Sequence, residues 1–144
     1  EAQMTNPRLF ETWCLRYYQR YAEVVHGQGK KMGSHTDGNL LPLLHLLAET
    51  GLDVCESFSP APLTQCTFDD AWQAWESRER PIIWGGIPSL VLDPETPEAG
   101  FEAYVDHVLE TVADRPIILG VGDMVVPGNL VERVQYIADR IETL

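Results

Sequence analysis

The chain has 144 residues, 44% of them hydrophobic and 22% charged, an ordinary composition for one globular domain over residues 1–144 with its own core. Its net charge of −12 disfavours nucleic acid and anionic membranes as partners, because a negative field repels phosphate. No apolar run approaches the roughly 18 residues of a membrane span, and the first residues lack a secretory signal pattern. The three cysteines form no CxxC pair, so we expect reduced thiols and a cytoplasmic protein.

The chain is expected to begin with a helix over residues 7–26. Asn6 supplies an N-cap and Pro7 suits the first helical turn. Apolar side chains recur at helical spacing along this segment, which predicts that they face the core: Phe10, Trp13, Cys14, Tyr17, Tyr21 and Val24.

Four units follow, each made of a short apolar run, a turn and a helix. The runs do not alternate between polar and apolar residues, which is typical of strands covered on both faces: 31–34, 54–57, 82–85 and 117–120. Helices are predicted over 40–50, from a Thr67–Asp70 capping box, from Thr96–Pro97 and from about Asn129. Right-handed crossovers would make all four strands parallel. The pattern predicts an α/β fold, either half of a (β/α)₈ barrel or an open doubly wound sheet.

Polar residues gather where the predicted strands end. His35 and Asp37 follow the first strand in "HTDGN", Glu56 ends the second, and Asp123 follows the fourth. Both architectures place ligand sites at the carboxyl ends of the strands, so we predict a substrate or ligand site there. The four loops contain no Lys or Arg, and carboxylates gathered without a cation raise one another's pKa or call for a metal. A metal ion, Zn²⁺, Mn²⁺ or Fe²⁺, is one alternative, held by His35, Asp37, Glu56 and Asp123.

Structural roles are the competing interpretation of the same residues. Asp37 could make a turn before Gly38, Asp123 could cap a turn, and Glu56 could pair with an arginine. Trp72 and Trp75, like the aromatic residues of the first helix, are expected in the core. Cys55 lies in a buried run and is expected to be inert, whereas Cys66, near a helix start, is a candidate thiolate.

An ordered set of motifs resembles the C-terminal half of the uroporphyrinogen decarboxylase family. The motifs are "HTDGN", "LLAETGLDV", "IIWGGIPS", "TPEAGFEAYVDHVLE" and "PIILGVGDMVVPGN". The order and spacing carry the resemblance, which covers the chain from about Pro7 to the end. It implies the C-terminal half of a TIM-type (β/α)₈ barrel, with four parallel strands each followed by a helix.

The family implied by this resemblance contains two kinds of enzyme. Some members are cofactor-free decarboxylases of tetrapyrrole acetate groups. Others are methyltransferases that use a zinc-activated thiol and a corrinoid methyl carrier. By position, His35 matches the histidine of the decarboxylase "HSDG" type and Asp37 its aspartate. Asp37 and Asp123 both stand where the methyltransferases carry zinc-binding cysteines, and Glu56 corresponds to a glutamate ligand of the more distant cobalamin-independent methionine synthase.

The resemblance therefore implies a lyase of porphyrin biosynthesis that needs no cofactor. Its catalytic residues would be His35, Asp37 and Asp123, and its substrate-binding residues Gly38, Glu56, Gly86 and Ile87. A methyltransferase with Zn or Mn and a corrinoid protein as partner is the alternative, and a non-catalytic half-barrel assembly module is the third. The arginines that such an acidic substrate requires come from the N-terminal half in this family. We therefore expect the chain to pair with a complementary half-barrel or a second copy.

Overall fold

Four parallel strands form one sheet at the centre of the fold. The computed structural model describes residues 4–75, 81–122 and 124–143. The strands are β1 (Gly33–His35), β2 (Val54–Phe58), β3 (Ile82–Pro88) and β4 (Ile117–Gly122). They lie side by side in chain order, and each pairs in parallel with the next. The predicted number and parallel direction of the strands are confirmed within the described residues.

Helices precede and connect the strands, as the sequence predicts. In the described residues they are α1 (residues 7–27), α2 (Leu44–Glu49), α3 (Phe68–Trp75), α4 (Glu98–Val112) and α5 (Val131–Glu142), with short 3-10 turns at Leu41–Leu43 and Ser89–Leu92. The expected caps form, because the Asn6 side chain accepts from the backbone of Leu9 and the Thr67–Asp70 pair makes a capping box. No helix of the described segments combines the length and the apolar character needed to cross a bilayer.

The strand order decides between the two architectures. A doubly wound sheet reverses its strand order and carries helices on both faces, whereas this sheet runs in strict sequence. Right-handed connections between sequential parallel strands place every connecting helix on the same face. The other face stays open, and Trp84 and Ile118 are nearly half exposed on it. The chain is thus half of a TIM-type barrel.

The core lies between the sheet and its helices. Phe58 and Ile83 from the strands meet Phe101 and Val105 from α4, and all four are essentially inaccessible to solvent. Trp75 of α3 is buried and its indole N–H donates to the carbonyl of Leu44 at 2.8 Å, so it joins two helices. The prediction that Trp75 belongs to the core is confirmed.

The packed face of α1 differs from the predicted one. Phe10 and Ala22 are buried and Tyr18 packs beside them, but Trp13, Tyr17 and Tyr21 are exposed. The helix carries two adjacent apolar stripes, and a π-helical turn at Phe10–Cys14 shifts the phase between its two α-helical parts. The expectation that this stripe lies in the core is therefore confirmed for Phe10 and wrong for its exposed members, Trp13, Tyr17, Tyr21 and Val24.

The first strand begins two residues later than predicted. The buried carboxylate of Asp53 accepts the backbone N–H of Met32 at 2.8 Å and pairs with Lys31 at 3.2 Å. The same carboxylate contacts the ring of His26 at 2.7 Å, at the end of α1. These side-chain interactions hold residues 31–32 outside the ladder, so regular pairing starts at Gly33.

Gly85 marks the closest approach between two strands. Its φ is +140°, and a Cβ at this position would lie 2.5 Å from the carbonyl oxygen of Phe58 and 2.7 Å from its nitrogen. Both atoms belong to the backbone and cannot rotate away. The first glycine of the "GGIPS" motif therefore allows the end of β2 to lie against β3.

Gly85→Ala should lower the free energy of unfolding by about 2 kcal/mol or more, because it combines a strained backbone with a backbone clash. Gly100→Ala is the matched control, since Gly100 lies in α4 with nothing within 4 Å of an added Cβ. That change should raise stability by roughly 0.5–1 kcal/mol. Urea unfolding of both variants measures the difference, and equal stabilities would contradict the close approach.

Two of the three cysteines are buried and unreactive. Burial raises the pKa of the Cys55 thiol to about 12, which confirms that it is inert. Burial also raises the pKa of Cys66 to about 12, and the nearby negative charge of Asp70 adds to the shift. The hypothesis of a Cys66 thiolate is therefore wrong, because the capping carboxylate near the helix start opposes a second negative charge.

Thiol labelling should distinguish the three cysteines. At pH 8 we expect one thiol per folded chain to react with a small alkylating reagent, namely the partly exposed Cys14, and all three after unfolding. Folded-state pKa values near 12 against the usual 9 also predict that stability falls as the pH rises above about 9, because the unfolded chain releases these protons first. Labelling of Cys66 in the folded chain at the rate of Cys14 would contradict this assignment.

Candidate functional site

A histidine and a glutamate meet where the first two strands end. The Nδ1 atom of His35 lies 2.7 Å from Oε2 of Glu56. The two residues are register partners in β1 and β2, so their side chains leave the sheet side by side on its open face. A carboxylate only accepts, so His35 donates from Nδ1 and presents Nε2 to solvent. About 55% of the His35 side chain is accessible, which leaves it within reach of a ligand.

Thr36 fixes this pairing from the opposite face of the sheet. It is buried, and both its backbone N–H and its hydroxyl donate to the carbonyl of Glu56 at 2.8 Å. Because residues alternate between faces along a strand, a buried Thr36 turns His35 and Asp37 to the open face. The backbone that carries His35 is therefore bonded directly to the residue that orients its ring.

Asp37 stands on the far side of the imidazole. Its Oδ2 atom lies 3.9 Å from Nε2 of His35, an ion-pair distance that exceeds a hydrogen bond. The prediction that His35 and Asp37 point to the same side is confirmed. Gly38 follows with a φ of +73°, a left-handed conformation that reverses the chain after the acidic residue. The imidazole thus has a carboxylate on each side, one bonded and one within ion-pair range.

The row of side chains continues across the other two strands. Register pairing aligns His35 with Glu56, Glu56 with Trp84, and Trp84 with Ile118. Trp84 is 46% exposed, and its indole covers Gly120, where an added Cβ would lie 3.5 Å from Nε1. Sequence reasoning did not assign Trp84 to the site, although an aromatic residue beside two glycines on a strand that faces a cleft was a usable signal. The open face therefore presents an imidazole, a carboxylate and a flat aromatic surface in line.

A strained residue follows Glu56 directly. Ser57 is fully buried with a φ of +68°, which is unusual for a residue with a side chain, and the pairing of β2 with β3 slips between Glu56 and Phe58. Glu56 is therefore the last residue of β2 in regular register, and the irregularity lies at the mouth of the site. Nothing in the residue type of Ser57 signals this conformation.

Two predicted site residues, Gly86 and Ile87, are not brought to this row, and a third is not described. Ile87 is 1% exposed within the hydrophobic core, and Gly86 is buried, with the ring of Phe68 2.9 Å from where its Cβ would be. Gly86 is thus covered by the helical layer, since Phe68 belongs to α3. Asp123 lies outside the described residues.

The predicted metal centre stays a prediction, because Asp123, one of its four ligands, lies outside the described residues. No group of three or more His, Cys, Asp or Glu side chains within residues 4–75, 81–122 and 124–143 is arranged to hold a metal ion. Nδ1 of His35 is engaged by Glu56, which orients the ring and leaves Nε2 as its free nitrogen. The arrangement suits proton transfer at Nε2, with Glu56 stabilising the protonated ring.

Comparison with known proteins gives one result. The sequence profile described as "Uroporphyrinogen decarboxylase (URO-D)" matches residues 1–144, the whole chain. Searches of curated proteins and of solved structures found no match to this chain. The half-barrel with its site residues at the carboxyl ends of the strands is the architecture that the sequence motifs implied. The chain belongs to the uroporphyrinogen decarboxylase (URO-D) family.

Proposed function

We propose that this chain carries the proton-transfer side of a carboxy-lyase site, with a carboxylated pyrrole or tetrapyrrole as substrate. The observation that supports this is the hydrogen bond of 2.7 Å between His35 and Glu56 on an open, solvent-accessible sheet face. Membership of the URO-D family supports the choice of decarboxylation among reactions that need an acid.

The proposed step uses His35 as the proton donor. The bond between the substrate carbon and its carboxylate breaks, CO₂ leaves, and the electron pair stays on the carbon. Protonated His35 then gives a proton from Nε2 to this carbon, and solvent returns one to the ring. Glu56 is a positioning residue, since its carboxylate accepts from Nδ1 and stabilises the imidazolium that must be present before transfer.

Trp84 supports a planar substrate. Its half-exposed ring lies in the same row as the His35–Glu56 pair and offers a flat apolar surface for stacking a heterocycle. Cations for the remaining carboxylates of such a substrate are missing from the loops after β1 to β4, whose sequences contain no Lys or Arg. We propose that these cations come from the polypeptide that completes the barrel.

The two alternative functions predict different results for metal content and for partner binding. A corrinoid-linked methyltransferase would need a Zn or Mn centre, and one of its predicted ligands, Asp123, lies outside the described residues. Stoichiometric metal in the untreated protein, measured by plasma mass spectrometry, would favour that function. An assembly module without catalysis would keep its partner binding when His35 is replaced. Decarboxylation is preferred because it uses the contact that the fold builds between β1 and β2.

His35→Gln should lower the rate of decarboxylation by roughly 10²–10⁴-fold, because it removes the proton donor. Uroporphyrinogen is the probe, and chromatography counts the carboxylates that remain on the product. His45→Gln is the matched control, since His45 lies exposed on α2 and should tolerate the change. A His35→Gln variant as active as the wild-type chain, when both are assayed together with the polypeptide that completes the barrel, would contradict the proposal.

Glu56→Gln should lower kcat by a smaller factor, about 10-fold to 100-fold, with little change in KM. The amide keeps the shape of Glu56 but cannot hold the imidazolium by charge. A merely structural role predicts instead a loss of stability with an unchanged kcat in the fraction that stays folded, so thermal unfolding is measured in parallel.

A further inference from the structure

Strand β1, which carries His35, has little in its own sequence to fix its alignment with β2. Its three residues are Gly33, Ser34 and His35, and none of them has an apolar side chain. Strand register is normally set by a hydrophobic pattern, and it is weakly specified in polar or glycine-containing strands. The two strands share three register pairs. Contacts outside the ladder must therefore hold His35 opposite Glu56.

A slip of two residues between β1 and β2 is the error that these contacts have to prevent. A slip of one residue would turn His35 into the helical layer, where a polar ring is costly to bury. A slip of two residues would keep His35 on the open face but move it about 6.6 Å along β2. His35 would then be out of reach of Glu56, whose carboxylate it contacts at 2.7 Å. The pair therefore forms in one register only.

Asp53 and Met32 form two hydrogen bonds immediately before the first register pair. The Asp53 backbone N–H donates to the carbonyl of Met32, and the Met32 backbone N–H donates to Oδ2 of Asp53, both at 2.8 Å. The Asp53 side chain is only 4% exposed, and its carboxylate also contacts His26 at 2.7 Å and Lys31 at 3.2 Å. A two-residue slip would carry Lys31 and Met32 about 6.6 Å past this carboxylate. The three contacts can therefore be made together in one register only.

Side chains hold the rest of β1 as well. At its carboxyl end, both donors of Thr36 bind the carbonyl of Glu56 at 2.8 Å. At its centre, the hydroxyl of Ser34 lies 3.0 Å from the hydroxyl of Tyr18 in α1. Among these contacts, the carboxylate of Asp53 is the buried acidic group that the proposed reaction does not use. It lies three residues before Glu56 in the chain, at the opposite end of the paired segment.

We infer that Asp53 is a positioning residue that sets the register of β1 on β2 and so places Nδ1 of His35 against Glu56. It acts through the backbone of β1, since its carboxylate binds Met32, three residues before His35. The effect of Asp53 on catalysis rests on the proposed function. Its effect on the contact between His35 and Glu56 does not depend on any reaction, so the two can be measured separately.

Imidazole ¹⁵N–¹H spectra of Asp53 variants test the register. Asp53→Leu keeps the branched shape of the side chain but accepts no hydrogen bond, so the Nδ1–H signal of His35 bonded to Glu56 should fall about twofold or more. Asp53→Asn keeps an acceptor for Met32 and should retain most of this signal. All samples contain trimethylamine N-oxide, which favours the folded state, so that the least stable variant is also measured folded.

Asp70→Ala is the matched control for these spectra. The carboxylate of Asp70 also accepts a backbone N–H, that of Thr67 at 2.9 Å, but it does so in the cap of α3. Its loss should lower stability without changing the His35 signal, because no strand register depends on this cap.

Decarboxylation kinetics connect the register to the proposed reaction, with each variant assayed together with the polypeptide that completes the barrel. Asp53→Leu should lower kcat about 10-fold to 100-fold with little change in KM, and Asp53→Asn should stay within about threefold of the wild type. A folded Asp53→Leu chain with the full His35 signal would overturn the inference, as would an Asp53→Asn chain that loses the signal as completely as Asp53→Leu. The expected spectra from a wild-type chain and variants that all lack decarboxylation would contradict the proposed function alone.

Discussion

Parallel pairing in strict chain order is the constraint on which the rest of this structure depends. It sends every right-handed connection to one face of the sheet, and it leaves the other face bare. The core can then form only between the sheet and the helices, where Phe58, Ile83 and Phe101 meet. The same order brings the carboxyl ends of all four strands to one edge, so side chains far apart in sequence become neighbours.

The candidate site follows from that register. His35 and Glu56 are twenty-one residues apart but opposite each other in adjacent strands, and Thr36 bonds the two strands together at the same level. The strain at Ser57 and the absence of a side chain at Gly85 both occur where β2 leaves the sheet against β3. Ser57 follows Glu56 in β2, and Gly85 follows Trp84, the register partner of Glu56 in β3. The irregular backbone therefore lies next to the glutamate that orients His35.

The sequence predicted the features that short-range rules control. These features are the helix caps at Asn6 and Thr67, the strand segments, and the position of His35 and Asp37 after the first strand. They could be predicted from the sequence because each depends on neighbouring residues. The packed face of α1 could not, because two apolar stripes lie side by side and only tertiary contacts choose between them. Trp84 and Ser57 were missed for a related reason, since their roles depend on the register with β2 and on a slip in that register. The protonation of Cys66 depended on its burial, which periodicity does not report.

The open half-barrel also explains why large apolar side chains are exposed on the surface of the described chain. The exposed residues of α1 and β4 lie at the two ends of the sheet, where a closed barrel would continue, and Trp84 lies on the face that would line its interior. The candidate site and the unpaired sheet edges are two consequences of a single topology.

The most direct test of this account is the tautomer of His35, observed in imidazole ¹⁵N–¹H correlation spectra and assigned with the His35→Gln variant. We expect a proton on Nδ1 that is hydrogen-bonded to Glu56, with a change in this signal in Glu56→Gln and none in the signals of the other three histidines. A neutral ring protonated at Nε2, unaffected by the change at Glu56, would show that β1 and β2 do not bring the two side chains together and would contradict the site proposed here.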